Sequence, residues 1–252
     1  MHLSLASRLL RRAAWMSLLA SAVSGCNDGN AAGAAAGAAA GASAAQRYVL
    51  VTQIRPEAPE KSFPAARWAY KICEAAARQM KVAVQPFPTL PPDFVSERTT
   101  YASDGKRSVM RTVSHIIDGH ATPDTGCALR VASLTTTAVT EAGRERVADT
   151  EADGTVHLSD VEAPPPEPVR ASTLASHTQA RRVNGVPLKC GADGACIVDP
   201  AVALVAQGAR PVQAAYRIDN PRLHGTALVV EPVSLAVGKP VDPALFALEK
   251  SK

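Results

Sequence analysis

Hydrophobic and polar positions along this chain change rhythm three times. Residues 1–12 are cationic, residues 13–23 are mostly apolar, residues 27–45 are almost wholly Ala and Gly, and only from residue 46 does the patterning of a folded domain begin. Residues 48–55, rich in Val and Ile, read as a first strand that Pro56 ends. Beyond it, Ala65, Trp68, Ala69, Ile72, Cys73, Ala76 and Met80 recur at i, i+3, i+4 and i+7. That spacing predicts a helix with Ser62 as its N-cap, this apolar stripe facing inward and Arg67, Lys71, Glu74 and Arg78 facing out.

From Phe94 onward the pattern turns to strands. Asp104-Gly105 predicts a hairpin between strands at 96–101 and 107–118. Strands at 129–140 and 144–151 flank Glu141-Ala142-Gly143, and Asp153-Gly154 turns the chain into 155–161. Four prolines in the segment 163–169 predict a stiff connector. A short helix is expected near 172–180, then strands at 182–190, 212–218 and 223–237. The fold class is mainly antiparallel β with one or two helices, an α+β domain over residues 46–252.

The leader changes the picture. Arg8, Arg11 and Arg12 precede an apolar run of eleven residues, far short of the roughly 18 to 20 that a helix needs to cross a bilayer. A cleaved signal peptide over 1–25 fits this pattern. Ala13 and Ala14 follow Arg11-Arg12 where a twin-arginine signal would be apolar and aromatic. The run ends in Val23-Ser24-Gly25-Cys26, which resembles the lipobox of bacterial lipoproteins. The resemblance implies diacylglyceryl transfer to the Cys26 thiol, cleavage before it, and acylation of the new amine. Asn27 stands where such lipoproteins carry Asp for inner-membrane retention, which implies a periplasm-facing site on the outer membrane. The tether, 26–45, carries Gly29, Gly33, Gly37 and Gly41 at every fourth position. It reads as a flexible leash with a reach on the order of 25 Å.

The chain holds 27 Lys+Arg against 23 Asp+Glu, a net +4, and three of those cations leave with the leader. The mature protein is therefore near neutral and lacks the basic excess that a nucleic-acid partner would call for. Four cysteines remain after Cys26, and an even count in an oxidising compartment points to two disulfides with three pairings open. The turn-rich Gly-Ala-Asp-Gly-Ala between Cys190 and Cys196 favours joining those two, which leaves Cys73 with Cys127. A metal site is the competing use of the thiols, without a CxxC pair to support it.

One further resemblance is carried by the order of elements, by Val183-Asn184-Gly185-Val186-Pro187 before a Cys, and by the ending Val241-Asp242-Pro243-Ala244-Leu245-Phe246. Together these are similar to envelope proteins with the half-barrel of the LolA/LolB lipoprotein carriers. The resemblance implies a curved antiparallel sheet covered by helices. The chain departs from the carriers in its few aromatics, so no functional residue is carried over.

Candidate chemistry is sparse. GxSxG, HExxH and GxxxxGK[ST] do not occur. Residues 149–160 place Asp149, Glu151, Asp153 and Asp160 at loop positions 1, 3, 5 and 12 of an EF-hand, with Gly154 at 6. The competing reading is a hairpin turn, since strand patterns flank the loop. His115, Asp118, His120 and Asp124 form a second metal-ligating cluster. No cofactor is implied. The expected function is non-enzymatic, a lipid-anchored envelope protein that binds an apolar ligand or a protein partner through its curved sheet. The alternatives are a metal-dependent hydrolase, a calcium-stabilised module, or a structural lipoprotein of an envelope complex.

Overall fold

A computed structural model describes residues 47–163, 175–200 and 212–248. Its elements run β1 (Tyr48–Pro56), α1 (Pro64–Gln79), β2 (Glu97–Ser103), β3 (Arg107–Gly119), β4 (Leu129–Glu141), β5 (Arg144–Thr150), β6 (Val156–Glu162), β7 (Gln179–Val183), β8 (Val186–Cys190), β9 (Cys196–Val198), β10 (Gln213–Ile218), α2 (Pro221–His224) and β11 (Leu228–Val237). The signal peptide, Cys26, the tether and residues 164–169 of the proline-rich connector lie outside the described residues.

All eleven strands belong to one open sheet, ordered β6-β5-β4-β3-β2-β1-β11-β10-β9-β8-β7, and each paired neighbour is antiparallel. Two meanders, β1–β6 and β7–β11, are therefore joined by one seam where β1 pairs with β11. The fold is the mostly antiparallel α+β architecture that the patterning predicts. No helix among the described residues is long and apolar enough to cross a membrane.

Turn chemistry explains most of the ladder. Asp104 accepts from the amides of Lys106 and Arg107 and pairs with the Arg107 guanidinium at 2.8 Å, closing the β2–β3 hairpin. Ala142 and Gly143 both take positive φ, 50° and 78°, the twist that a two-residue hairpin needs. Asn184 and Gly185 do the same at 50° and 78°. This last pair corrects the sequence reading: 182–190 is not one strand but the end of β7, a tight turn, and β8. Two further corrections follow from the same region of the chain. Residues 179–183 form β7 rather than the second half of a helix, although Ala175 and Ser176 are helical. Leu223 lies in α2, whose first turn is capped by the Asn220 side chain, so the last strand begins only at Leu228. The short β9 went unpredicted because three residues carry no period.

The sheet curls over itself. In ladder order β8 stands four places from β1, yet Val186, Leu188 and Cys190 pack in one buried cluster with Tyr48 and Leu50 of β1, Cys196 and Val198 of β9 and Ala214 of β10. We call this side the roofed face. A β-bulge helps the curl: the β1–β11 register slips between Val51 and Thr52, opposite Ser234 and Pro232. The Asn184 side-chain amide, on the β7–β8 turn, donates to the Pro232 carbonyl at 2.8 Å and pins the roof to the bulge. The opposite face is covered at one end by the C-terminal segment. There Phe246, Val241 and Leu245 pack on Val49, Ala102, Val109 and Val139, and the Arg107 guanidinium lies 4.3 Å above the Phe246 ring.

Helix α1 forms where the apolar spacing predicts it, with Pro64 at its first turn. Ser62 is not its cap. Phe63 holds that position at φ 60°, and Ser62 instead offers its carbonyl to Arg67. The face is also rotated from expectation. Ala66, Tyr70, Cys73 and Ala77 turn inward, Cys73 bonds Cys127, and Tyr70 donates to the Gln85 carbonyl. Trp68, Ile72 and Met80 are exposed at 69%, 52% and 58%. Gly126 lets the β3–β4 connection approach this layer closely, since a side chain there would collide with the Ala83 carbonyl.

Candidate functional site

Alternation along the strands sends Glu97, Thr99 and Tyr101 of β2 to the roofed face, together with Met110, Thr112 and Ser114 of β3 and Leu134, Thr136 and Ala138 of β4. The register lines them into rows. One row runs Thr52, Thr99, Thr112, Thr136, Asp149, His157 across six strands. Within it the Thr99 and Thr112 hydroxyls lie 3.1 Å apart, and Thr136 donates to Asp149 at 2.7 Å. The row beside it, Leu50, Tyr101, Met110, Ala138, Val147, is apolar apart from one phenol. The roof covers the β1 end of these rows. Towards β5 and β6 the rows open to solvent: Met110, Leu134 and Val147 are half-buried and Val161 is exposed.

At the roofed end sits one carboxyl. Burial raises the Glu97 pKa above the ordinary glutamate value, against hydrogen bonds from Ser114, at 3.2 Å, and Thr99 that favour the charged form. Burial, and then the Glu97 charge, push the Tyr101 phenol up to about 12. Tyr216, on β10, is raised by the same two causes. Desolvation dominates all three, as expected where a carboxyl is held among aromatic rings. The arrangement can bind a polar group at its closed end and an apolar body along the open rows.

Sequence reasoning missed Glu97, Tyr101 and Tyr216. A glutamate on the inward side of an alternating strand is the signal that marks such a site, but it becomes legible only once the register is known.

The metal candidates fare differently. Asp149 joins the hydroxyl row through Thr136, Glu151 stands 3.5 Å from His157, Asp153 accepts from the Thr155 amide, and Asp160 pairs with Arg144 at 2.7 Å. Asp160 points to the opposite face from Asp149, because ladder neighbours Asp149–His157 and Arg146–Asp160 alternate sides. The four carboxylates do not converge, and β5 and β6 flank the loop where an EF-hand has helices. The Asp153 carboxyl is held below its ordinary range by the Thr155 amide, the mark of a turn cap. The second cluster is likewise dispersed. His115 faces Phe94 with ring centres 5.6 Å apart, whereas Asp118 pairs with Arg130 at 2.8 Å in an open depression that His120 also lines. Asp124 belongs to a 3-10 turn. Among the described residues no three His, Cys, Asp or Glu side chains are placed to hold a metal ion. The cysteines pair as expected, Cys73 with Cys127 and Cys190 with Cys196.

No family model, curated protein or solved structure matches this chain. The functional reading therefore rests on the geometry.

Proposed function

We propose that this protein is a non-enzymatic, lipid-anchored envelope protein whose curved sheet binds an amphipathic small molecule with an apolar body. The observation that carries the reading is the row pattern on the roofed face. An apolar strip of Met110, Ala138 and Val147 runs along one side of a hydroxyl row, and the half-buried Glu97 carboxyl lies on the other side of that row, beside Ser114. Ligand sites combine predominantly apolar walls with a few placed polar groups in this way. A ligand hydroxyl or amide would meet Glu97 and the Thr99–Thr112 pair, and its chain would lie towards β6.

The Cys26 anchor belongs to the same proposal. Two or three acyl chains at that residue would hold the mature protein on the outer membrane, each buried methylene adding about 0.8 kcal/mol. Labelling cells with palmitate is expected to mark the wild type and not Cys26→Ala; an unmarked wild type overturns the anchor. Binding is tested separately. Protein extracted in mild detergent is expected to show a saturable, roughly stoichiometric complex with a fluorescent fatty-acid probe, and Met110→Arg is expected to weaken it at least tenfold. Equal affinity in wild type and Met110→Arg would refute the roofed face as the site.

A further inference from the structure

Helix α1 is built the wrong way round for a core helix. The side turned to the fold carries the small Ala66, Cys73 and Ala77 with Tyr70, and a covalent bond from Cys73 to Cys127 secures it. The side turned to water carries Trp68 and Ile72 one turn apart, with Ala65 and Ala75 completing the stripe at helical spacing. Met80 follows at the C-terminal end, and Leu223 of α2, which packs beside α1, is 65% exposed. A stripe of this kind on a soluble surface marks a binding face.

Charge decides the occupant. Lys71 on the helix, Lys61 just before it, Lys81 just after it and Arg222 of α2 are exposed and make no ion pair among the described residues; of the acids, exposed Glu60 stands next to Lys61 and Glu74 is neutralised by Arg78 at 2.7 Å, which leaves a basic excess. Protein interfaces are depleted in Lys, because an ammonium loses its water there. At a bilayer surface the same ammonium stays hydrated while its stem lies along the apolar layer, and a Trp sits at the level of the headgroups. A second copy of the chain fits poorly, since a two-fold contact across the stripe would bring the Lys71 side chains of both copies together. We propose that the outer face of α1, with Trp68 and Ile72 as its apolar contacts, docks on a bilayer rich in anionic phospholipid. The proposal concerns a different surface from the roofed face and holds whether or not Cys26 carries lipid.

Trp68 reports on its own contact once Trp15 is changed to Phe, which leaves it the sole tryptophan of the chain. The full chain is added to vesicles of phosphatidylethanolamine and phosphatidylglycerol at 3:1, or of phosphatidylcholine alone, each doped with brominated lipid. In the anionic vesicles Trp68 emission is expected to shift to shorter wavelength and to be quenched by bromine, with much less quenching in phosphatidylcholine and at high salt. Ile72→Ser is expected to weaken the quenching about tenfold, the scale set by exposing one large aliphatic side chain. Lys71→Glu with Lys81→Glu is expected to abolish the preference for anionic lipid. Lys71, Ile72 and Lys81 are exposed, so folding is preserved and is checked by circular dichroism. Trp68 emission that is unshifted and unquenched in both vesicles overturns the proposal, as does quenching that Ile72→Ser leaves unchanged.

Discussion

Glu97 is the half-buried residue at which holding the fold and the proposed ligand role pull apart. Its pKa is raised on folding, chiefly by burial, so the native chain binds the proton more tightly than the unfolded chain does. Stability from this group is therefore greatest below the ordinary glutamate pKa and falls as pH rises through the raised native value. Glu97→Gln keeps a partner for Ser114 and removes the charge. It is expected to raise Tm at pH 7, where the native chain carries the desolvated charge, and to have no effect at pH 3. Calorimetry at the two pH values checks both halves. Asn184 works in the other direction. Its positive φ and its hydrogen bond to Pro232 make Asn184→Ala destabilising by about 2 kcal/mol, measured by urea unfolding. Glu97 does not stand out in the sequence, since a lone Glu acquires its meaning from partners across the sheet; Asn184-Gly185 announces a turn but not the bond to Pro232, 48 positions on.

Among the elements, hairpins were legible and faces were not. Asp104-Gly105, Ala142-Gly143 and Asp153-Gly154 announce their turns locally, and β2 to β6 follow with bounds that differ by a residue or two. Asn184-Gly185 carries the same signal, but the strand before it, Gln-Ala-Arg-Arg-Val, is exposed and shows no apolar alternation to mark it as separate from β8. Helix α1 shows a different limit. It is apolar on two sides, and composition favours burying the larger side chains, whereas the Cys73–Cys127 bond commits the smaller side. Replacing both cysteines by Ala is expected to cost about 4 kcal/mol on the chain-entropy estimate for a separation of 54 residues. Hydrogen exchange should then rise first in α1, because little else buries it; uniform exchange across the sheet would show that the bond acts globally instead.

For the molecule as a whole, the sequence conveyed class and disulfide pairing but not the order of strands. Alternation says that a segment is a strand; it does not say that the first and last strands are partners, or that β8 folds back over β1. The metal candidates failed for the same reason, because acids close along the chain were dealt to opposite faces by the ladder. The C-terminal segment shows how far such closure matters. Phe246 is 5% exposed and seals Val49, Ala102, Val109 and Val139 on the side away from the roof. Phe246→Ala is expected to destabilise the domain by about 3–4 kcal/mol in chemical denaturation, as for other buried Phe truncations.

The β1–β11 seam also sets a timetable. Because β11 spans Leu228–Val237, an emerging chain displays β1 with one bare hydrogen-bonding edge until that strand has appeared. If the chain is threaded across a membrane from its N-terminus, that edge must be shielded on the far side while some 180 residues follow. A polypeptide stalled before Leu228 would leave the compartment holding a sticky, half-closed sheet, which makes the last strand the latch of the whole assembly.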